Sequence, residues 1–175
     1  MMVNTTESVL AGIADQASTQ YWGKYRGIVK NVDDDENMGR ITCTVPSVYG
    51  DEVSPWALPA VPFAGQSHGF MLLPEPGDGV WVEFEAGDRS RPIWTGFWWA
   101  RNEMPEEVSA ERRVLVTSAG LKLVMDDGAK QIKLLHGDKA EITMSETSIT
   151  LRFGSKSVVI SDSDVSINGM SLKVM

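Results

Sequence analysis

The chain has 175 residues, 42% hydrophobic and 23% charged, which fits one ordinary domain or one compact domain with an extension and excludes general disorder. A net charge of -8 and an isoelectric point near 4.7 argue against nucleic acid as a partner, because Lys and Arg drive phosphate binding. The one cysteine, Cys43, cannot form an internal disulfide, no Cys/His set suits a structural zinc, and no apolar run nears the roughly 20 residues that span a bilayer.

Residues 1–20 form a distinct first stretch. They lack a basic n-region and a continuous apolar segment, so they do not read as a secretory signal. Val9, Leu10, Ile13 and Ala17 have helix-like spacing, and Ser8 or the preceding Thr pair can cap a short amphipathic helix. Such a segment is either a frayed leader or an arm that docks on a neighbour.

Residues 21–101 are dense in strand and turn signals. Tyr25 to Val32 is β-rich, and the acidic turn Asp33 to Gly39 follows. Arg40 to Val45 alternates, with Ile41, Cys43 and Val45 on one face, and Pro46 ends it for want of an N–H. Trp56-Ala57-Leu58 and Gly69 to Pro74 read as two further short strands. Gly79 to Phe84 alternates with Val80, Val82 and Phe84 inward, and Gly87-Asp88 turns the chain into Arg91 to Trp99. Five or six short strands with Gly/Pro turns fit a small closed barrel. All six tryptophans lie in this stretch, enough for a core and an interface.

Residues 102–113 are charged and read as a linker. Residues 114–175 carry short alternating segments at intervals of about 7–10 residues, a repeat signal. They are Val114–Val116, Leu121–Met125, Gln131–Leu134, Glu141–Met144, Ser148–Phe153, Ser157–Ile160, Val165–Ile167 and Leu172–Val174. Each has one apolar face and one Ser/Thr/Lys face. A lone chain of such strands exposes edges and half-buries its apolar face, which invites pairing with other copies. Several copies wrapping together, each giving one strand per rung, is favoured over a plain antiparallel meander. The segment centres Leu123, Ile132, Leu134, Ile142, Ile149, Leu151, Val158, Ile160 and Ile167 are then the axial core. The product is stiff, which suits a needle better than a catalyst.

The series Gly39-Arg40-Ile41-Thr42-Cys43-Thr44-Val45-Pro46, Trp56-Ala57, Gly65, Gly69, Leu73-Pro74, Pro76 to Phe84, Gly87-Asp88, Arg91-Pro92-Ile93 and Gly96 resembles the central spike of contractile injection machines. That family comprises the phage baseplate assembly protein V and VgrG spikes. The resemblance covers the chain from about Tyr21 onward and implies an all-β protein. Its barrel is an OB fold, followed by an intertwined trimeric β-helix shaped as a triangular prism. It further implies a homotrimer on a hub at the end of the tail tube, with the β-helix driven through the target cell envelope. Trp22, Trp94, Trp98 and Trp99 are the candidate hub or inter-barrel contacts. The stretch 102–113 is too short for the lysozyme domain of some relatives. His68 and His136 both lie away from the C-terminus, unlike the His-x-His metal motif at the apex of others. The apolar ending suggests a PAAR-type tip protein on Leu172, Val174 and Met175. The implied location is a phage virion or injection-particle baseplate, assembled in the bacterial cytoplasm.

Three motifs tempt other readings. Gly65-Gln66-Ser67-His68-Gly69 matches G-x-S-x-G, but a nucleophile elbow needs a helix after the Ser, and Phe70 to Pro74 reads as a strand. The Asp33–Glu36 run suits a hard cation by chemistry but lacks EF-hand spacing, so a solvated turn is the plainer reading. Trp94, Phe97, Trp98 and Trp99 can stack sugars, which leaves a glycan-binding OB module on an oligomerising stalk as the alternative function. No catalytic, cofactor-binding or metal-binding constellation is expected, and no enzyme.

Overall fold

The computed structural model describes residues 5–106, 109–169 and 172–174. The chain divides into two compact units, Met1–Glu103 and Met104–Met175, so the boundary falls within the charged stretch expected as a linker.

The first unit opens with helix α1 (Thr5–Thr19), on which Val9 and Leu10 are exposed. Strands β1 (Tyr25–Asn31) and β2 (Thr42–Thr44) follow, then the short helix α2 (Pro46–Tyr49). Pro46 both stops β2 and starts α2, since a helix's first turn leaves its N–H groups unpaired anyway. Strand β3 (Leu58–Pro59) and the small hairpin β4 (Ala64–Gly65) and β5 (His68–Gly69) precede β6 (Gly79–Phe84) and β7 (Pro92–Trp98). The main sheet has the order β2-β1-β6-β7-β3, antiparallel except where β3 joins β7. Bridges Ile41–Ala57 and Thr44–Val53 tie the β2 edge to the segment leading into β3, and so curl the sheet toward closure.

Alternation decides what fills that curl. Val80, Val82 and Phe84 point inward as expected and meet Val29, Ile41, Cys43, Val45, Ala57 and Trp94. Gly27 lies where a Cβ would come within 3.1 Å of Val82 and 3.2 Å of the Thr44 carbonyl, so β1 and its neighbours approach more closely than a larger residue permits. Ser54, the one buried polar side chain among the described residues, accepts the Cys43 N–H at 3.0 Å and donates to the Pro55 carbonyl at 2.8 Å. Burial raises the Cys43 thiol pKa above its usual value, and Cys43 is the small apolar core residue it reads as.

One expected strand is not there. Of Gly69 to Pro74 only Gly69 is in a strand, and Phe70, Met71, Leu72 and Leu73 form an exposed loop. Four consecutive apolar residues cannot all point to one face of a strand, and Pro74 offers no N–H to a ladder. The Met71 methyl holds the loop against Gly39, where a Cβ would fall 2.1 Å from it.

The second unit is one eight-stranded sheet. Its strands are β8 (Arg112–Val116), β9 (Leu121–Asp126), β10 (Gln131–His136), β11 (Ala140–Met144), β12 (Ser148–Phe153), β13 (Lys156–Ser161), β14 (Val165–Ile167) and β15 (Leu172–Val174). Every alternating segment of the sequence is a strand, and the first begins at Arg112 rather than Val114. Each strand pairs antiparallel with its sequence neighbours, so one chain forms a meander rather than lending one strand to each rung. The short turns explain this: Gly120, Gly137, Gly154 and Gly169 all adopt positive φ and reverse the chain at once.

Candidate functional site

The register of the second unit sorts its side chains into two faces. Directly opposed residues in an antiparallel pair share a face. Leu115, Leu123, Leu134, Ile142, Leu151, Val158 and Ile167 are opposed in succession and form one row across the sheet. Met125, Ile132, Met144, Ile149, Ile160 and Val165 form a second row on the same face. Leu121, His136, Ala140, Phe153 and Lys156 form a third on the other side of the first. All nine residues expected in an axial core lie on this face. The Leu134–Ile142–Leu151 row is the middle one, and Ile132, Ile149 and Ile160 lie in a flanking row.

Among the described residues of this unit, nothing covers this face. Ile132, Leu134, Ile142, Ile149, Leu151, Ile160 and Ile167 are exposed, and Leu123 and Val158 are half-buried. Phe153, in the third row, is 68% exposed. Two open hollows of about 350 and 400 Å³ lie between the rows, lined mainly by such residues as Leu121, Leu134, Ile142, Leu151 and Val158. A contiguous apolar surface of this extent marks an interaction site. The backbone of β15 continues the register, with Leu172 opposite Ile167 and Val174 opposite Val165. Met175 and the side chains of Leu172 and Val174, the expected tip contacts, lie outside the described residues.

The opposite face is mixed: Val114, Val124 and Val159 lie among ion pairs and hydroxyls, with Val124 buried. Glu141 accepts from Thr143 Oγ1 at 2.6 Å and from Arg152 at 2.5 and 3.2 Å, with Lys133 at 4.0 Å. The Thr143 hydroxyl and then Arg152 hold its carboxyl below the usual range. Glu106 pairs with Lys122, Arg112 with both Glu106 and Asp126, and these contacts likewise depress the Glu106 pKa, Lys122 foremost. One face suits water and the other suits a protein partner.

In the first unit the four expected tryptophan contacts part company. Trp94 is 2% exposed, packs in the core and donates its indole N–H to the Gly39 carbonyl at 3.1 Å. It is a core residue rather than a docking one, because β7 alternation turns it inward. Trp98 is half-buried and donates to the Val80 carbonyl at 3.1 Å. The Arg26 guanidinium lies 5.0 Å from the Trp98 ring and 5.5 Å from the Trp81 ring, a cation–π pair across the outer surface of the sheet. Trp22 and Trp99 are 62% and 59% exposed. Sequence reasoning missed the exposed Phe63 and the exposed Phe70–Leu73 loop; the absence of alternation in that run was the available signal.

The tempting motifs resolve into local structure. Gly65 to Gly69 is a hairpin with Ser67 at positive φ, and no helix follows, so no nucleophile elbow forms. His68 stacks on Phe63 with ring centroids 6.4 Å apart. In the acidic turn, Asp34 accepts from Arg40 Nε and NH2 at 2.8 and 2.6 Å and from the N–H groups of Glu36, Met38 and Arg40 at 3.2, 2.8 and 3.1 Å. The Arg40 guanidinium holds its carboxyl well below the usual carboxylate range, against the opposing effect of burial. The turn is therefore knotted by an ion pair rather than arranged around a cation. Among the described residues no cluster of three metal-ligating side chains forms, and no helix is long and apolar enough to cross a membrane.

Residues 25–99 match the type VI secretion system/phage-baseplate injector OB domain, and residues 112–173 match the phage baseplate V C-terminal trimerisation domain. The chain belongs to the phage baseplate V family. The curled sheet of the first unit is its OB domain, and the protein is all-β apart from its short helices. The second unit, with its unpartnered apolar face, is the family's trimerisation domain. A structural baseplate or spike role follows from membership, and homotrimer formation from that domain. No curated protein matched the chain.

Proposed function

We propose that this protein is the structural spike at the tip of a contractile injection apparatus, without catalytic activity. Three copies pack their apolar sheet faces around one axis as a β-prism, dock by their OB domains on the baseplate hub, and pierce the target cell envelope when driven forward. The observation that carries this reading is the apolar face, whose middle row runs unbroken from Leu115 to Ile167 while the salt bridges lie on the reverse face. Burying an Ile or Leu contributes about 1.5–3 kcal/mol, so rows of them from three chains make a rod that opens only when contacts in all copies break together. Trp22, Trp98, Trp99 and the Phe70–Leu73 loop are the barrel surfaces for the hub or a neighbouring barrel. A PAAR-type tip protein on the C-terminal end is part of the same proposal.

Light scattering on a sizing column tests it. A particle of three times 19.2 kDa, eluting early for its mass and surviving heat or detergent, is expected. A particle of one chain's mass overturns the reading. Pull-down by the hub protein, weakened by Trp22→Ala with Trp99→Ala, tests the docking face.

A further inference from the structure

The rows of the C-terminal sheet also say which edges of the copies meet; this inference rests on the trimer proposed above. Strands β9, β10, β11, β12 and β13 each present three side chains to the apolar face, and the middle one belongs to the Leu134–Ile142–Leu151 row. Three such sheets can close in two ways. Joining edge strand β8 of one copy to β15 of the next would make a barrel of about two dozen strands, whose lumen side chains cannot fill. Packing face to face instead sets the strands across the axis, with the middle row nearest to it and the flanking rows at the three corners.

Only groups on a three-fold axis meet their own equivalents; away from it, one patch meets a different patch of the next copy, head to tail. We propose that each corner is such a heterologous seam, in which the Ile149 row of one copy covers the Phe153 row of the next. Rotation about the axis involves no translation along it, so residues of one strand stay level. Met144 then meets Ala140, and Ile149 meets Phe153. The sizes fit: the long Met144 lies against the small Ala140, and the most exposed large apolar side chain on the sheet, Phe153, gains a branched aliphatic cover. The Ile149 row is apolar from β9 to β14, whereas the Phe153 row carries His136 and Lys156. At a corner these two can reach water, which a place on the axis denies them.

Cysteine pairing tests the seam. Positions 140 and 144 lie on one strand about 13 Å apart, beyond the roughly 7 Å between Cα atoms that a disulfide spans, so a bond between them forms only between copies. Ala140→Cys with Met144→Cys should give a covalently closed trimer on a non-reducing denaturing gel after mild oxidation. Each single variant should stay unlinked; the native Cys43 is buried. Ile149→Cys with Phe153→Cys is the second pair, in case the first disturbs folding. Single variants that link into dimers, or double variants that stay unlinked while light scattering still reads three chains, overturn the seam and leave the trimer standing. A one-chain mass for the unaltered protein overturns both.

Discussion

Ile142→Asp puts a charge in the middle row, on the strand flanked by Leu134 and Leu151. In the single chain Ile142 is 39% exposed, so the isolated sheet loses little. In the trimer three such side chains face one axis. Assembly covers only the 39% still exposed, so the lost burial is about 0.6–1.2 kcal/mol each, hence about 2–4 kcal/mol per particle. Three carboxylates about 8 Å apart add about 2 kcal/mol of repulsion per pair at an effective dielectric near 20. Together these reach about 8–10 kcal/mol, enough to shift a micromolar solution to monomers. Light scattering at pH 8 should read one chain for Ile142→Asp and three for the unaltered protein. Thr143→Asp, one residue along and facing Lys133 on the polar side, should remain trimeric. Like-charge crowding and burial raise the pKa of the new carboxyls in the trimer, so lowering the pH through that raised range should restore part of the assembly. An Ile142→Asp particle that stays trimeric and equally heat-resistant at pH 8 would refute the axial packing of this row.

Other expected outcomes concern the first unit. Trp94→Ala removes a buried ring and should cost the OB domain about 3–5 kcal/mol in urea unfolding followed by tryptophan fluorescence, whereas Trp99→Ala should stay within about 0.5 kcal/mol. Every tryptophan of the chain lies in residues 21–101, so this signal reports that unit alone. The Asp34 carboxyl has its folded pKa depressed, so its stabilising effect is full above the unfolded value near 3.8 and is lost as pH falls through the folded one. The melting-temperature gap between the unaltered protein and Asp34→Ala should therefore be widest at neutral pH and close progressively below pH 4; a gap independent of pH would dismiss the ion pair. Deleting residues 1–20 should leave the mass at three chains and weaken capture by the hub, and a fall to one chain would move the arm into the trimer contacts.

The C-terminal sheet was legible from its alternation alone, because a period of two with a turn every 7–10 residues leaves few foldings open. Segments such as Ser148–Phe153 and Val165–Ile167 became strands with the same bounds. The partners of those strands were not legible. Pairing within one chain and pairing between copies satisfy the same pattern, and only the turn geometry at Gly120, Gly137 and Gly154 selects the meander. The barrel shows the same division. Val80, Val82 and Phe84 announced their inward face, while the tryptophans of β7 did not, since an aromatic suits a core or an interface equally. The register shift between β6 and β7 changes which side later residues of β7 face, so Trp94 is sealed inside while Trp98 lies under Arg26.

Composition, alternation and the glycine and proline punctuation thus determined an acidic all-β chain and the apolar face that needs a partner. These are local properties, and periodicity reports them directly. The tertiary structure alone decided that the Phe70–Leu73 run is an exposed loop, that Asp34 is locked by Arg40, and that the apolar residues fall into a middle row and two unlike flanking rows. The Asp34 lock is local but needs the turn geometry, which composition does not give; the other two depend on which distant backbone lies alongside, and strand register is set by cross-strand contacts that no single segment contains.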